Sequence, residues 1–494
     1  MMENPRLKSF HDDYLPEATI DELQEKMQNR EITSKELVLM YMNRIGQLDK
    51  NLHSVLELNP DALHIAAALD AEREKKGPRS PLHGIPILLK DNIDTGDKMQ
   101  TTAGSLALKG HYAQNDSFVA SQLRKAGAVI IGKTNMTEWA NFMTEGMPSG
   151  YSSRGGQTLN PYGPGKFDVG GSSAGSGAAI AANFAAAAIG TETSGSILSP
   201  ASQNSLVGIK PTVGLVSRTG IIPIAHSQDT AGPMARTVKD AALLLNVLAV
   251  SDENDPVTLT NQDLQEKDFT IFLDKNGLQG ARIGIARDTY FDYLSSEKLA
   301  VMNQAVARLN ELGAEVVDEV VIPSTKMEWS YDVLTYEFKA DVNAYLRTVA
   351  PHLHIRTLSD VIEFNEKNSE KCLKYGQSIL IEAEETSGNL TESAYLSALE
   401  KDIYFSGEQG IDCVMRKHNL DAIVFPNNYG AGIPAKAGYP SITVPAGYTS
   451  EGEPVGITFT GIAYSEPLLI KLAYAFEQAT RHRKGPELGV LASE

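Results

Sequence analysis

The chain opens in helical rhythm and then switches to runs typical of buried strands. Thr33 and Glu36 stand at capping-box spacing, and Leu37, Tyr41, Ile45 and Leu48 follow on one helical face. Residues 60–76 repeat the pattern, with Leu63, Ala66, Ala67 and Leu69 apolar, until Gly77-Pro78-Arg79-Ser80-Pro81 breaks it. Residues 1–80 are therefore read as a helical segment packed on a main unit, 81–494. From there, continuous apolar runs replace the helical spacing. Residues 85–89 and 129–131 have the character of buried strands, with a capped helix at 116–126 between them. Further strands are expected at 282–286, 314–322, 422–425, 441–444 and 455–459, and helices at 237–249, 297–312 and 468–480. Strands alternating with helices predict an α/β fold with a largely buried sheet. The polar stretch 252–280 has strands on both sides, so it reads as a surface excursion within one domain.

Composition narrows the class. A chain of 494 residues has room for about three domains, yet large α/β enzymes run this long as one unit. Such a chain buries enough core to fold without staples. Cys372 and Cys413 give neither a disulfide framework nor zinc spacing, which fits a reducing compartment. The net charge of −18 repels phosphate backbones and disfavours direct nucleic-acid binding. Residues 1–11 carry charge without the apolar core of a signal peptide. The longest mostly apolar stretch, 178–189, contains Asn183 and is too short to cross a bilayer. The expectation is a soluble, cytoplasmic protein with no membrane partner.

Three polar residues sit where chemistry needs them more than packing does. Lys90 ends the run Gly84-Ile85-Pro86-Ile87-Leu88-Leu89-Lys90-Asp91-Asn92; burial of such a lysine favours the neutral amine, a base. Ser172 lies in Gly170-Gly171-Ser172-Ser173-Ala174-Gly175, a loop of small residues leading into a helix expected to start near Ala178. Ser196 lies in Gly190-Thr191-Glu192-Thr193-Ser194-Gly195-Ser196, where an apolar run opens into a turn with consecutive N–H groups suited to an oxyanion. A serine needs a neighbouring base to act as a nucleophile, and Lys90 is a candidate for that base. Gly171-Ser172-Ser173-Ala174-Gly175 also fits G-x-S-x-G, which would make Ser173 the nucleophile of an α/β-hydrolase-like esterase. That reading ranks second: the preceding stretch 162–169 is rich in glycine and proline rather than strand-like, and Lys90 and the Ser196 turn would be left unexplained.

These motifs resemble the amidase signature family over residues 37–475. The resemblance rests on Leu82-His83-Gly84-Ile85-Pro86 with Lys90-Asp91-Asn92, on Gly170-Gly171-Ser172-Ser173, and on the segment 190–200, with Ser172 and Ser196 24 residues apart. It implies a single domain with a mixed, twisted sheet covered by helices, and a Ser–Ser–Lys triad. Ser196 resembles the nucleophile, Lys90 the base, and Ser172 the bridging serine, which follows a cis peptide bond at Gly171-Ser172. The N–H groups of Thr193, Ser194, Gly195 and Ser196 resemble the oxyanion hole. No cofactor and no metal is implied. Many members read Asp-x-Gly-Gly-Ser-Ile-Arg here, where this chain has Glu192, Ser194 and Leu198 at the aspartate, first glycine and arginine. The missing arginine weakens any borrowing of substrate contacts from amidotransferase subunits. The segments 192–196, 208–218, 337–340 and 343–346 resemble the branch that includes bacterial peptide amidases. The resemblance implies an amidase that converts a carboxamide, such as a peptide C-terminal amide, to a carboxylate and ammonia or amine through an acyl-serine. The alternatives are the amidase subunit of a glutamyl-tRNA(Gln)-type amidotransferase and the Ser173 esterase. The substrate, the oligomeric state and the surroundings of Tyr331, Tyr336 and Tyr464 stay open.

Overall fold

In this computed structural model, which describes residues 4–260, 263–318 and 320–488, eleven strands join in one mixed sheet. They are β1 (Val55–Leu58), β2 (Pro86–Lys90), β3 (Val129–Thr134), β6 (Ala187–Glu192), β7 (Val207–Lys210), β8 (Thr230–Ala235), β9 (Arg282–Ile285), β10 (Glu315–Val317), β11 (Ala422–Pro426), β12 (Ser441–Tyr448) and β13 (Pro454–Thr460). Two short strands, β4 (Tyr151–Ser152) and β5 (Gly156–Gln157), form a separate hairpin. The spatial order is β1-β3-β2-β6-β8-β7-β12-β13-β11-β9-β10. Strand β2 runs parallel to both β3 and β6, and β9 runs parallel to both β10 and β11. The other pairings are antiparallel.

Apolar runs became strands because both faces of the sheet are covered. Every residue of β2, β3, β11 and β13 is buried, as befits a sheet sandwiched between helices. Helices Ser34–Leu48, Ala62–Lys76, Val238–Leu248 and Glu466–Thr480 pack against it with their apolar faces. The Thr33–Glu36 capping box is formed, with Glu36 N–H donating to Thr33 Oγ1 at 3.1 Å and Thr33 N–H to Glu36 Oε2 at 3.0 Å. The excursion 252–280 stays attached to the main core through fully buried Phe269.

Several expectations need correction. Residues 1–80 are not wholly helical, since β1 lies within them and pairs with β3. The strand expected at 314–322 contracts to Glu315–Val317, and residue 319 falls outside the described residues. The helix after the glycine-serine loop starts at Ala174 rather than near Ala178. Three central strands, β6, β7 and β8, were not read from the sequence. Alanine and glycine dominate β6, and β8 is Thr-Ala-Gly-Pro-Met-Ala; both compositions argue against a strand. Pro233 pairs with Ile189 in the β6–β8 ladder and lies one residue beyond the end of the β7–β8 ladder at Met234.

A second apolar cluster closes over the carboxyl ends of β2 and β6. It gathers Trp139, Phe142 and Met143 against Phe338, Leu346 and Leu380, with the Phe142 and Phe338 ring centroids 5.0 Å apart. Helix Asp332–Leu346 thereby forms one wall of the cleft described next.

Candidate active site

Parallel pairing of β2 and β6 sets Leu89 opposite Ile189, which brings the side chain of Lys90, at the end of β2, within reach of Thr191 in β6. Lys90 is 0 % exposed. Its Nζ donates to Ser172 Oγ at 2.7 Å and to Thr191 Oγ1 at 2.8 Å, and lies 3.2 Å from the Thr191 carbonyl. Burial draws its pKa down from 10.5 to about 7, while the carboxylates of Asp229 and Glu192 hold it from falling further. Asn92 Nδ2 donates to Thr191 Oγ1 at 2.9 Å and fixes that hydroxyl beside the amine.

The glycine-serine loop brings Ser172 to this amine. The Gly171-Ser172 peptide is cis, as the resemblance implies. Gly170 has φ +72, and a Cβ there would meet Pro200 at 2.7 Å, so glycine is needed for the loop to lie on helix Leu198–Gln203. Ser173 points elsewhere. Its Oγ lies 3.1 Å from the Thr191 carbonyl and 3.2 Å from the Thr191 N–H, and the residue is fully buried. Its hydroxyl thus ties the loop to β6 and does not face solvent, and no strand precedes it as a nucleophile elbow requires. The Ser173 N–H donates to the Ser196 carbonyl at 3.2 Å, which holds the two serine segments together.

Beyond β6 the turn 193–197 is organised around Glu192. Its Oε1 accepts from Gly195 N–H at 2.6 Å, and its Oε2 from Ile197 and Leu198 N–H at 2.7 and 3.0 Å. The longer glutamate therefore spans the turn and caps the start of helix Leu198–Gln203. Burial raises its pKa, and nearby Lys210 and the three N–H groups oppose that rise. Gly195 has φ +83, a conformation that suits glycine. Of the four N–H groups expected to form an oxyanion hole, that of Gly195 is thus already engaged. Those of Ser194 and Ser196 have no hydrogen-bond partner among the described residues. Thr193 is anchored from the side: its hydroxyl donates to Asp229, and its carbonyl accepts from Gln228 Nε2 at 3.2 Å.

Glu192→Gln tests this arrangement. An amide replaces one of the two accepting oxygens with a donor, leaving at least one N–H unpaired at about 1–3 kcal/mol. The expected result is a melting temperature lower by several degrees and kcat lower by at least about tenfold with KM little changed, as for a loosened oxyanion turn. Thermal melting and steady-state kinetics check it.

Ser194 and Ser196 line a cleft of about 680 Å³, with Ser196 8 % exposed. Tyr331, left open by the sequence, stands at its mouth. Tyr336 instead packs against Tyr395, and the Tyr464 hydroxyl meets Thr260 Oγ1 at 3.0 Å, so neither lines this cleft. His226, Glu337 and Asp341 bring possible metal-ligand atoms within 4.8 Å of one another. Protein bonds already engage them. His226 Nδ1 lies 2.9 Å from Asp341 Oδ2, while Glu337 accepts from Ser227 Oγ at 2.8 Å and from Tyr395 OH at 2.9 Å. The cluster ties the loop before β8 to helix Asp332–Leu346.

Two contributors escaped the sequence reading. Thr191 is a polar partner of Lys90, and Asp229 anchors the turn through Thr193 while accepting from Ile224 and Ala225 N–H at 2.8 and 3.0 Å. Thr191 stood within a motif already singled out. Nothing around Asp229 marked it, because its partners come from the turn after β6 and from its own loop.

Comparison with known proteins agrees with this geometry. Residues 36–470 match the amidase family. A probable amidase of Arabidopsis thaliana is 42 % identical, covering 96 % of this chain and 92 % of its own length. The solved peptide amidase of Stenotrophomonas maltophilia superposes with a TM-score of 0.91 at 45 % identity, covering 96 % of this chain and 99 % of that one. A glutamyl-tRNA(Gln) amidotransferase subunit from Moorella thermoacetica is more distant, 33 % identical over 96 % of this chain and 99 % of its own. With a buried lysine, at the carboxyl end of an inner strand of a mixed eleven-stranded sheet, bonded to a serine, the chain belongs to the amidase (amidase signature) family, hydrolases of amide C–N bonds that work through a Ser–Ser–Lys triad.

Proposed function

We propose that this chain is a free-standing amidase that releases ammonia from the C-terminal carboxamide of short peptides, with Lys90, Ser172 and Ser196 as its triad. The observation that carries the reading is the 2.7 Å contact between Ser172 Oγ and the buried Lys90 Nζ. Neutral Lys90 accepts a proton from Ser172 as Ser172 accepts one from Ser196. The Ser196 oxygen adds to the amide carbonyl, and the new oxyanion takes hydrogen bonds from the N–H groups of Ser194 and Ser196, with Thr193 beside them. The relay then returns a proton to the leaving nitrogen, the C–N bond breaks and ammonia departs. Water, deprotonated through the same relay, cleaves the acyl-serine to the carboxylate and restores Ser196. The likeness to the Stenotrophomonas peptide amidase along nearly the whole of both chains supports a peptide substrate. Against the amidotransferase reading, Leu198 occupies the position of the common arginine and is buried, so it brings no cation to a substrate. We also propose a cytoplasmic setting, consistent with the two free cysteines, Cys372 and Cys413.

The test is ammonia release from peptide amides by the purified chain alone. Turnover without any added protein is the expected result. Absence of turnover, together with glutamine-dependent ammonia delivery once the other amidotransferase components are supplied, would replace this reading with the amidotransferase one.

A further inference from the structure

Beside Ser196 the cleft opens into a second pocket of about 230 Å³. The two spaces share Ser194, Tyr331, Leu334 and Tyr429. Ser194 stands between the two spaces, so a carbonyl hydrogen-bonded to its N–H would carry its α-carbon substituent toward this opening.

The walls state what that group is. Beyond the shared residues, Tyr290, Trp329 and Ile433 make the surface mainly aromatic and aliphatic, with Gln228, Thr289, Thr325 and Ser330 between them. Tyr331 is 71 % and Tyr429 39 % exposed, so two large rings at the mouth lack a covering group. The lysine in the lining is already neutralised. Lys436 Nζ donates to Asp402 Oδ2 at 2.5 Å and to the Ser330 carbonyl at 3.1 Å, and sits 5.1 Å from the Trp329 ring centroid. A carboxylate entering here would compete with Asp402 for it, and an ammonium would lose water without gaining a free partner. The space is also not closed by the backbone: a Cβ at Gly432, which lines the pocket, would meet nothing within 4 Å.

We propose that this pocket binds the side chain of the carboxamide-bearing residue and selects aromatic and large aliphatic side chains over glycine and over charged ones. The proposal deepens, and rests on, the reading of the Ser196 cleft as a peptide-amide site. Its room is controlled by Gly432 and its wall by Trp329.

Peptide aldehydes test it without requiring turnover, since an aldehyde adds reversibly to a serine nucleophile. N-acetyl-phenylalaninal is expected to protect Ser196 from a fluorophosphonate at a concentration about 10–100 times lower than N-acetyl-glycinal, the range for filling an apolar pocket. The aspartyl analogue should protect worst. In Gly432→Phe the side chain enters the pocket, and the phenylalanine-to-glycine ratio should fall by about tenfold. Trp329→Ala, which widens the pocket, should lower the ratio as well and serves if Gly432→Phe does not fold. A wild-type ratio near one, or a ratio unmoved in a folded variant, overturns the proposal. Ammonia release from the matching amides is measured in parallel. Release with a flat ratio removes the pocket and leaves the peptide-amide reading; a preserved ratio without release from any amide removes that reading and leaves the pocket.

Discussion

Ser196→Ala is expected to lower kcat by about 10⁶-fold, the loss seen when the nucleophile of a serine relay is removed. Labelling by a fluorophosphonate should disappear with it, because Ser196 is the nucleophile of the proposed triad. Ser173→Ala is the control. Its hydroxyl bridges the N–H and carbonyl of Thr191 inside the protein, so its loss should reduce stability by about 1–3 kcal/mol while leaving covalent labelling at Ser196. Mass spectrometry of the labelled peptide separates the two serines. A label that survives in Ser196→Ala and vanishes in Ser173→Ala would restore the esterase alternative and end the triad assignment.

The second large effect is set by pH. A base works only when unprotonated, so kcat/KM should rise with pH along a limb centred near 7 as Lys90 loses its proton. Lys90→Met should remove the limb and lower kcat by about 10⁴-fold. Stability follows the same titration. The folded pKa, about 7, lies below the unfolded value of 10.5, so between these pH values the unfolded chain holds more protons. The contribution of Lys90 to stability therefore improves as pH rises through that window, and at its lower end the burial costs about 5 kcal/mol. Lys90→Met escapes that penalty but loses the bonds to Ser172 and Thr191, so it is expected to stay folded, with a smaller stability gain between pH 7 and pH 10 than the parent. Denaturant titrations across pH measure this, and activity profiles on the same samples measure the limb. Near-normal turnover by a folded Lys90→Met protein would exclude Lys90 as the base.

How legible the molecule was in its sequence depended on what each segment relied on. Residues 85–89 read as a buried strand because unbroken aliphatic side chains suit only a covered sheet, and β2 lies there. The Thr33–Glu36 cap was equally plain, because a capping box is made within four residues. In contrast, β6 and β8 contain alanine, glycine and proline, and they become strands because their neighbours supply the ladder. The same divide runs through the site. Lys90, Ser172 and Ser196 were identifiable as residue types in three glycine-rich or apolar contexts, and resemblance gave them an order. The engagement of the Gly195 N–H by Glu192, the Thr191 contact and the role of Asp229 depend on side-chain reach across a turn or between strands.

The sequence by itself determined the α/β class and the helical start, and it supplied the candidates for acyl transfer, since periodicity, caps and functional groups are local properties. Only the tertiary structure decided that the amine of Lys90 meets Ser172 in a dry interior, that Ser173 turns away, and that Tyr331 overlooks the cleft where Tyr464 does not. Those outcomes rest on which strands lie side by side and in what register, and burial, which sets the proton affinity of the lysine, exists only once the chain has closed around it.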